Sequence, residues 1–361
     1  MKKTKKQMSW REVFQMNNRG LKLFYERYPQ MVISRFISVI WNALTPYVGI
    51  FLSALVVDEL VGNRDVQRLQ MLVVITLASA AIIALGTALL NKWKETQNAG
   101  VWLKVEHIIS EKMLDTDYVN LDDTHTSELL STIRQNLNGG GWGLYYVIEC
   151  YEGLFSNVLT IFGGLALTVS LFISKVPTES GSLIILNNPL VVIAVIVLML
   201  AVTFIAPILN NKAGSYYAKY ADSHNLGNRL FSFFGYLGYY TELGTDMRMY
   251  RQDKICDRYN RNKEDTFGSN GLFAHFAWGS MGLYSAASAA VSVIFTGVVY
   301  LFVCLKALAG AFGLGSVTQY IASITKVSGG MSSLISGIGL MCNNTPFIEL
   351  TFEYLDIPNN M

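Results

Sequence analysis

The chain has 361 residues, 52% of them hydrophobic and only 15% charged, against roughly 25% charge in soluble domains. Its formal net charge of +2 is too small to argue for a nucleic-acid surface, and no basic cluster is interleaved with stacking aromatics. The apolar residues gather in blocks, and the run LVVIAVIVLMLAVTFIAPIL from Leu190 to Leu209 carries no charge, enough at ~20 residues to cross a bilayer. The reading is an all-α, polytopic membrane protein.

The opening MKKTKKQMSW resembles the basic start of a signal peptide, but no apolar core follows it, so a retained cytosolic N-terminus is expected. Residues 9–28 mix Trp10, Val13, Phe14, Leu21, Phe24 and Tyr28 with Arg11, Glu12, Arg19, Lys22 and Arg27. That pattern suits a helix lying in the membrane interface; the plainer alternative is an amphipathic helix packed on protein. Six spans are then expected between 31 and 341: about 31–57 (broken by Pro46), 71–90, 144–172, 190–209, 275–303 and 314–341.

Basic residues set the orientation. Segments 1–30, 91–141 and 210–270 hold 22 of the 28 Lys and Arg, whereas 58–68, 174–188 and 306–312 hold four. By the positive-inside rule both termini and both long inserts are cytosolic, in what is expected to be the plasma membrane. The inserts 91–141 and 210–270 contain no proline and recurrent apolar residues, so each is expected to be a helical hairpin continuing its flanking spans.

Cys150, Cys256, Cys304 and Cys342 are scattered singly, which favours unpaired thiols over a metal or redox site. At the tip of the first arm, Asp and Thr residues offer helix N-caps, Thr126-Ser127-Glu128 before an apolar run suits a helix restarting, and a short helix across the tip is expected. Four carboxylates between Asp115 and Asp123 lack the glycine and distal glutamate of a calcium loop, so no metal is expected there. The second tip, Gly244 to Tyr250, sets Asp246 and Arg248 beside Met247, Met249 and Tyr250; methionine suits a surface that fits a groove. A capped turn joining two helices is the plainer alternative.

Six spans, short outer loops, two long cytosolic arms and a leading amphipathic helix resemble the transmembrane domain of an ABC exporter. The second tip is similar to that family's second intracellular loop, and Asp115-Thr116-Asp117-Tyr118 with Glu128-Leu129-Leu130 to its first. The resemblance implies that the tips are coupling helices docking onto ATP-binding domains. Asp117, Tyr118, Leu121 and Asp122 would act at the first tip, and Asp246, Met247, Arg248, Met249 and Tyr250 at the second. Tyr250 would enter a groove of the partner half-transporter's ATP-binding domain, with Arg248 paired nearby. It also implies a single transmembrane domain over 1–361, dimerising with a second, identical or different half-transporter, with 342–361 as the linker toward the ATP-binding domain.

No Gly-x-x-x-x-Gly-Lys-Ser/Thr phosphate loop occurs, so ATP and Mg are expected to bind in that further domain and no catalytic site here. Charges inside spans mark the expected substrate cavity: Lys326 near mid-span in the sixth, with Arg35, Glu149, Glu152 and His275 nearer the cytosolic ends. For Arg35, Glu149 and Glu152, pairing near the interface is the alternative. The basic charge of Lys326 would suit an anionic group. The implied activity is ATP-driven export of a peptide, lipid or amphipathic small molecule. The rivals are an ion-coupled secondary carrier using Lys326 and Glu149, and a membrane scaffold recruiting a cytosolic partner.

Overall fold

A computed structural model describes residues 9–62, 64–177, 181–261, 263 and 266–359; the N-terminal lysines lie outside them. Among the described residues the fold is all-helical, with no strand. Helix α1 (Trp10–Arg27) starts at a capping box in which Glu12 N–H donates to Ser9 Oγ at 3.3 Å and Ser9 N–H to the Glu12 carboxylate at 2.7 Å, satisfying two donors that would otherwise be orphaned. It ends before Pro29, which begins α2 (Pro29–Val61). Its buried face is Val13, Asn17, Gly20 and Phe24. A Cβ on Gly20 would stand 3.1 Å from a Val147 methyl. Trp10, Phe14 and Tyr25 are exposed on the same helix, so α1 packs on protein and also offers aromatics outward.

The first arm, 91–141, takes in the end of α3 (Val66–Asn98), then α4 (Val101–Asp115), α5 (Tyr118–Leu121) and α6 (Thr124–Asn138). Its descending side breaks at Gly100, whose φ of 71° is a left-handed conformation natural to glycine. The expected short helix across the tip is present as α5, capped by Asp117. Helix α7 (Leu144–Ile173) leads back, and a 3₁₀ segment, Gly181–Asn187, precedes α8 (Pro189–Lys219).

The second arm departs from the expected hairpin of two continuous helices. It comprises α9 (Ala221–Tyr236), α10 (Gly244–Met249), α11 (Gln252–Asn260) and α12 (Leu272–Trp278), separated by turns. Tyr220 interrupts the descending side, and Arg251 adopts a left-handed φ of 50° just after the tip. A non-glycine residue there is uncommon and ends a helix without proline. Helices α13 (Ser280–Leu308) and α14 (Leu314–Leu355) complete the chain.

Among the described residues, five helical stretches are long and apolar enough to cross a bilayer: Pro29–Val61, Val66–Asp115, Leu144–Ile173, Pro189–Tyr216 and Leu272–Leu308. This is a membrane protein by that measure. The segment expected as a sixth span, 314–341, is helical as the first part of α14 but is not among these stretches; its Gly and Ser residues, Gln319 and Lys326 leave it less apolar than the others.

Helices α7 and α14 are the central pair, flanked by α2 and α8. Two separate cores grip this pair at opposite ends. One joins Phe24, Ile109, Leu129 and Leu137 to the start of α7 (Leu144, Val147) and the end of α14 (Ile348, Phe352, Tyr354). The other joins Leu171 at the end of α7 to Tyr320 and Ile324 near the start of α14, with Phe295, Phe302 and Val303 of α13. The pair is therefore antiparallel. Of residues 342–361, expected as a linker, those through Leu355 are helical, and Ile348, Phe352 and Tyr354 belong to the first core.

Candidate functional site

The arms, α1 and the end of α14 converge at one end of the molecule. Arg19 of α1 forms a two-pronged pair with Asp356, and its guanidinium lies 4.1 Å from the Phe352 ring. That hydrogen-bonded pairing holds the Asp356 carboxyl below its ordinary value. Asn17 Nδ2–H donates to Thr345 Oγ1 at 3.2 Å, and Asn344 exchanges two buried hydrogen bonds with the Gly143 backbone at 2.7 and 2.9 Å. From the first arm, Lys112 donates to the Ile357 carbonyl, Asn120 Nδ2–H to the Pro358 carbonyl at 3.0 Å, and His125 meets Glu353 at 3.2 Å. Arg229 Nε–H donates to Gln135 Oε1 at 3.0 Å and ties the second arm to the first.

The first tip is a side-chain cap with an apolar outer face. Asp117 is buried and accepts the Asn120 N–H at 2.9 Å, the bond expected of a helix N-cap. That fixes α5 so that Tyr118 and Val119 point outward, 75% and 79% exposed. Leu121 is half-buried and Asp122 exposed. At the second tip Asp246, Met247, Arg248 and Met249 lie on α10, and Tyr250 closes it by donating its N–H to Asp246 O at 2.9 Å. Met249 and Tyr250 are exposed, as are Tyr239 and Tyr240. Exposed aromatics and methionine in such numbers at an arm's end leave apolar surface in need of a partner.

Three of the five expected cavity residues meet in one cluster. One Arg35 guanidinium nitrogen donates to Glu149 and to Glu152, both at 2.7 Å, while Arg35 Nε–H donates to Asn98 Oδ1 at 2.8 Å. Lys94 pairs with the other Glu152 oxygen. Arg35 is 5% exposed, so its charge is tolerated only because the carboxylates face it. The cluster floors an open pocket of about 560 Å³ beside Trp102 and Tyr145. This arrangement is the pairing alternative, and it bolts α2, α3 and α7 together.

Lys326 lies apart, in a groove between α7, α13 and α14. His275, exposed on α12, belongs to neither group. Sequence reasoning missed Lys94 and Asn98 as members of the cluster. Their four-residue spacing puts both on one face of α3, as the three-residue spacing does for Glu149 and Glu152 on α7, and that spacing is visible in the sequence. No family model and no curated protein matches this chain.

Proposed function

We propose that this chain is the membrane-spanning part of an ATP-driven transporter built like an ABC exporter. In this reading α14 supplies a sixth span. Both termini and both arms are cytosolic, and the membrane is the plasma membrane. A second half-transporter completes the pathway, and alternating access exports a peptide, lipid or amphipathic small molecule. ATP and Mg bind in ATP-binding domains that the arms grip, carried on the same polypeptide or on another.

The observation that carries the reading is the pair of short tip helices. Helix α5 presents Tyr118 and Val119 from a buried Asp117 cap, and α10 presents Met249 and Tyr250. Each ends an arm that continues from long apolar helices, and the first arm touches the residues that close the chain. An ion-coupled carrier has no use for such surfaces. Closure of the ATP-binding domains would bias the arms between two arrangements and so switch the cavity's exposure.

The test is Tyr250→Ala in the full transporter. Assembly and ATP hydrolysis in detergent are expected to stay near wild type. ATP-driven export from inside-out vesicles should fall about tenfold or more, within the ~1–3 kcal/mol usual for coupling between sites. Export at the wild-type rate would overturn the assignment of α10.

A further inference from the structure

Lys326 stands about 12 residues into α14, roughly 18 Å from its start, between the two cores that hold the α7–α14 pair. It is exposed to an open groove of about 900 Å³, within the range of small-molecule sites. Val317, Ile321 and Ala322 give the groove apolar walls, with Tyr300 and Cys304 facing them from α13, and no Asp or Glu lines it. Lys326 has no ion pair or hydrogen bond among the described residues.

The other charges set within the helices differ. Arg35, Lys94, Glu149 and Glu152 pair with one another. Asp58 accepts the Gly315 N–H at 2.8 Å, and buried Lys306 donates to the Leu171 carbonyl at 2.6 Å. A cation left alone at this depth is costly and marks a ligand path. Of the hydroxyls lining the groove, Thr318 and Thr325 donate to the Gly315 and Ile321 carbonyls one turn back. A lysine ammonium is a point charge without a fork, so it selects one anionic group rather than an extended array. A Cβ on Gly329 would meet nothing within 4 Å, so the groove continues past the charge.

We infer that this groove binds an amphiphile with a single anionic head, a carboxylate or a phosphate monoester, held by Lys326 with its apolar tail along α14 and α13. That this ligand is cargo rests on the transporter reading; that it binds rests only on α14 lying in the membrane, which that reading shares.

The experiment uses the full-length protein in phosphatidylcholine nanodiscs, with Cys150, Cys256 and Cys342 changed to Ser so that Cys304 reports the groove. Dodecanoate is expected to slow maleimide labelling of Cys304 about tenfold, a difference of ~1.4 kcal/mol, while dodecyltrimethylammonium leaves it unchanged. Lys326→Gln should abolish this protection and Lys326→Arg retain it. Gly329→Leu should block protection by filling the groove, without touching the charge. Whichever of dodecanoate and dodecyl phosphate protects at lower concentration names the head group. Equal protection by anion and cation, undiminished protection in Lys326→Gln, or a Cys304 that is unreactive before any probe is added would overturn the site; the last would place a second copy or lipid in the groove. Labelling needs no ATP hydrolysis. Its failure leaves the transporter reading to the Tyr250→Ala experiment, and failure there leaves this site standing.

Discussion

Arg35 shows how one side chain can decide whether a membrane protein holds together. Its guanidinium faces two carboxylates, Glu149 and Glu152, and the Asn98 amide. Removing it leaves Glu149, whose side chain is 39% exposed beside the open pocket, without its partner, and Glu152 with Lys94 alone. Arg35→Ala is expected to cost about 1–3 kcal/mol, the usual result of leaving a part-buried polar group unpaired. Arg35→Lys should recover only part of that, because an ammonium cannot serve three acceptors in this geometry. Thermal unfolding in detergent checks it. Adding Glu149→Gln and Glu152→Gln to Arg35→Ala should restore part of the loss, and no restoration would show that the carboxylates were not the source of the cost. Gly315 carries a different constraint: a Cβ there would lie 2.0 Å from the Ala54 carbonyl, so α14 can start against α2 only with glycine at this place.

At the scale of elements, α1 is held by its buried face and by two ion pairs, Arg19 with Asp356 just past the far end of α14 and Arg27 with Glu111 of α4. The Asp356 carboxyl sits below its ordinary value of 3.8, chiefly through the Arg19 hydrogen bond. A carboxyl lowered in the folded state stabilises above its unfolded value and loses that contribution as pH falls through the lowered one. Both partners are about half exposed, so the pair is worth only ~0–1 kcal/mol. A spin label at exposed Lys22 on α1 should therefore be immobile at pH 5 and gain mobility as pH drops below the ordinary carboxylate range. Asp356→Asn should raise the mobility at pH 5, and unchanged mobility would mean that the buried face and the Arg27–Glu111 pair hold α1 without it.

The helices are largely legible from the sequence, and the tip helix α5 follows from Asp and Thr as caps. The second arm is not. Lack of proline suggests continuity, yet Tyr220 and Arg251 end helices through backbone geometry that no residue type announces. The turn chemistry of Gly268-Ser269-Asn270-Gly271 is visible and marks an end to the ascending helix. Partners such as Lys94 with Glu152 arise only when α3 meets α7, so their pairing cannot be read from either segment alone.

For the molecule as a whole, the sequence separates apolar blocks from polar arms, but the resemblance to an exporter's linker does not show that Ile348, Phe352 and Tyr354 are core. Their patterning, Phe347, Ile348, Phe352 and Tyr354 among Glu349 and Glu353, is that of an amphipathic helix and points to burial more directly than the resemblance does. The unbroken run of α14 has a mechanical consequence. Its start is pinned at Gly315 by Asp58, and its far end is tied to α1 and the first arm. Leu355 lies about 60 Å from that pin and Lys326 about 16 Å, at ~1.5 Å per residue. A tilt of about 5° about the pin would then move the far end by roughly 5 Å and Lys326 by only about 1.5 Å. If the chain is part of the proposed transporter, spin labels at Glu349 and Thr325 should show displacements in about that ratio, near three or four to one, on nucleotide binding; equal displacements would mean that α14 slides or bends instead. In that reading the helix would work as a reduction gear, turning large excursions at the arms into a small shift beside the groove.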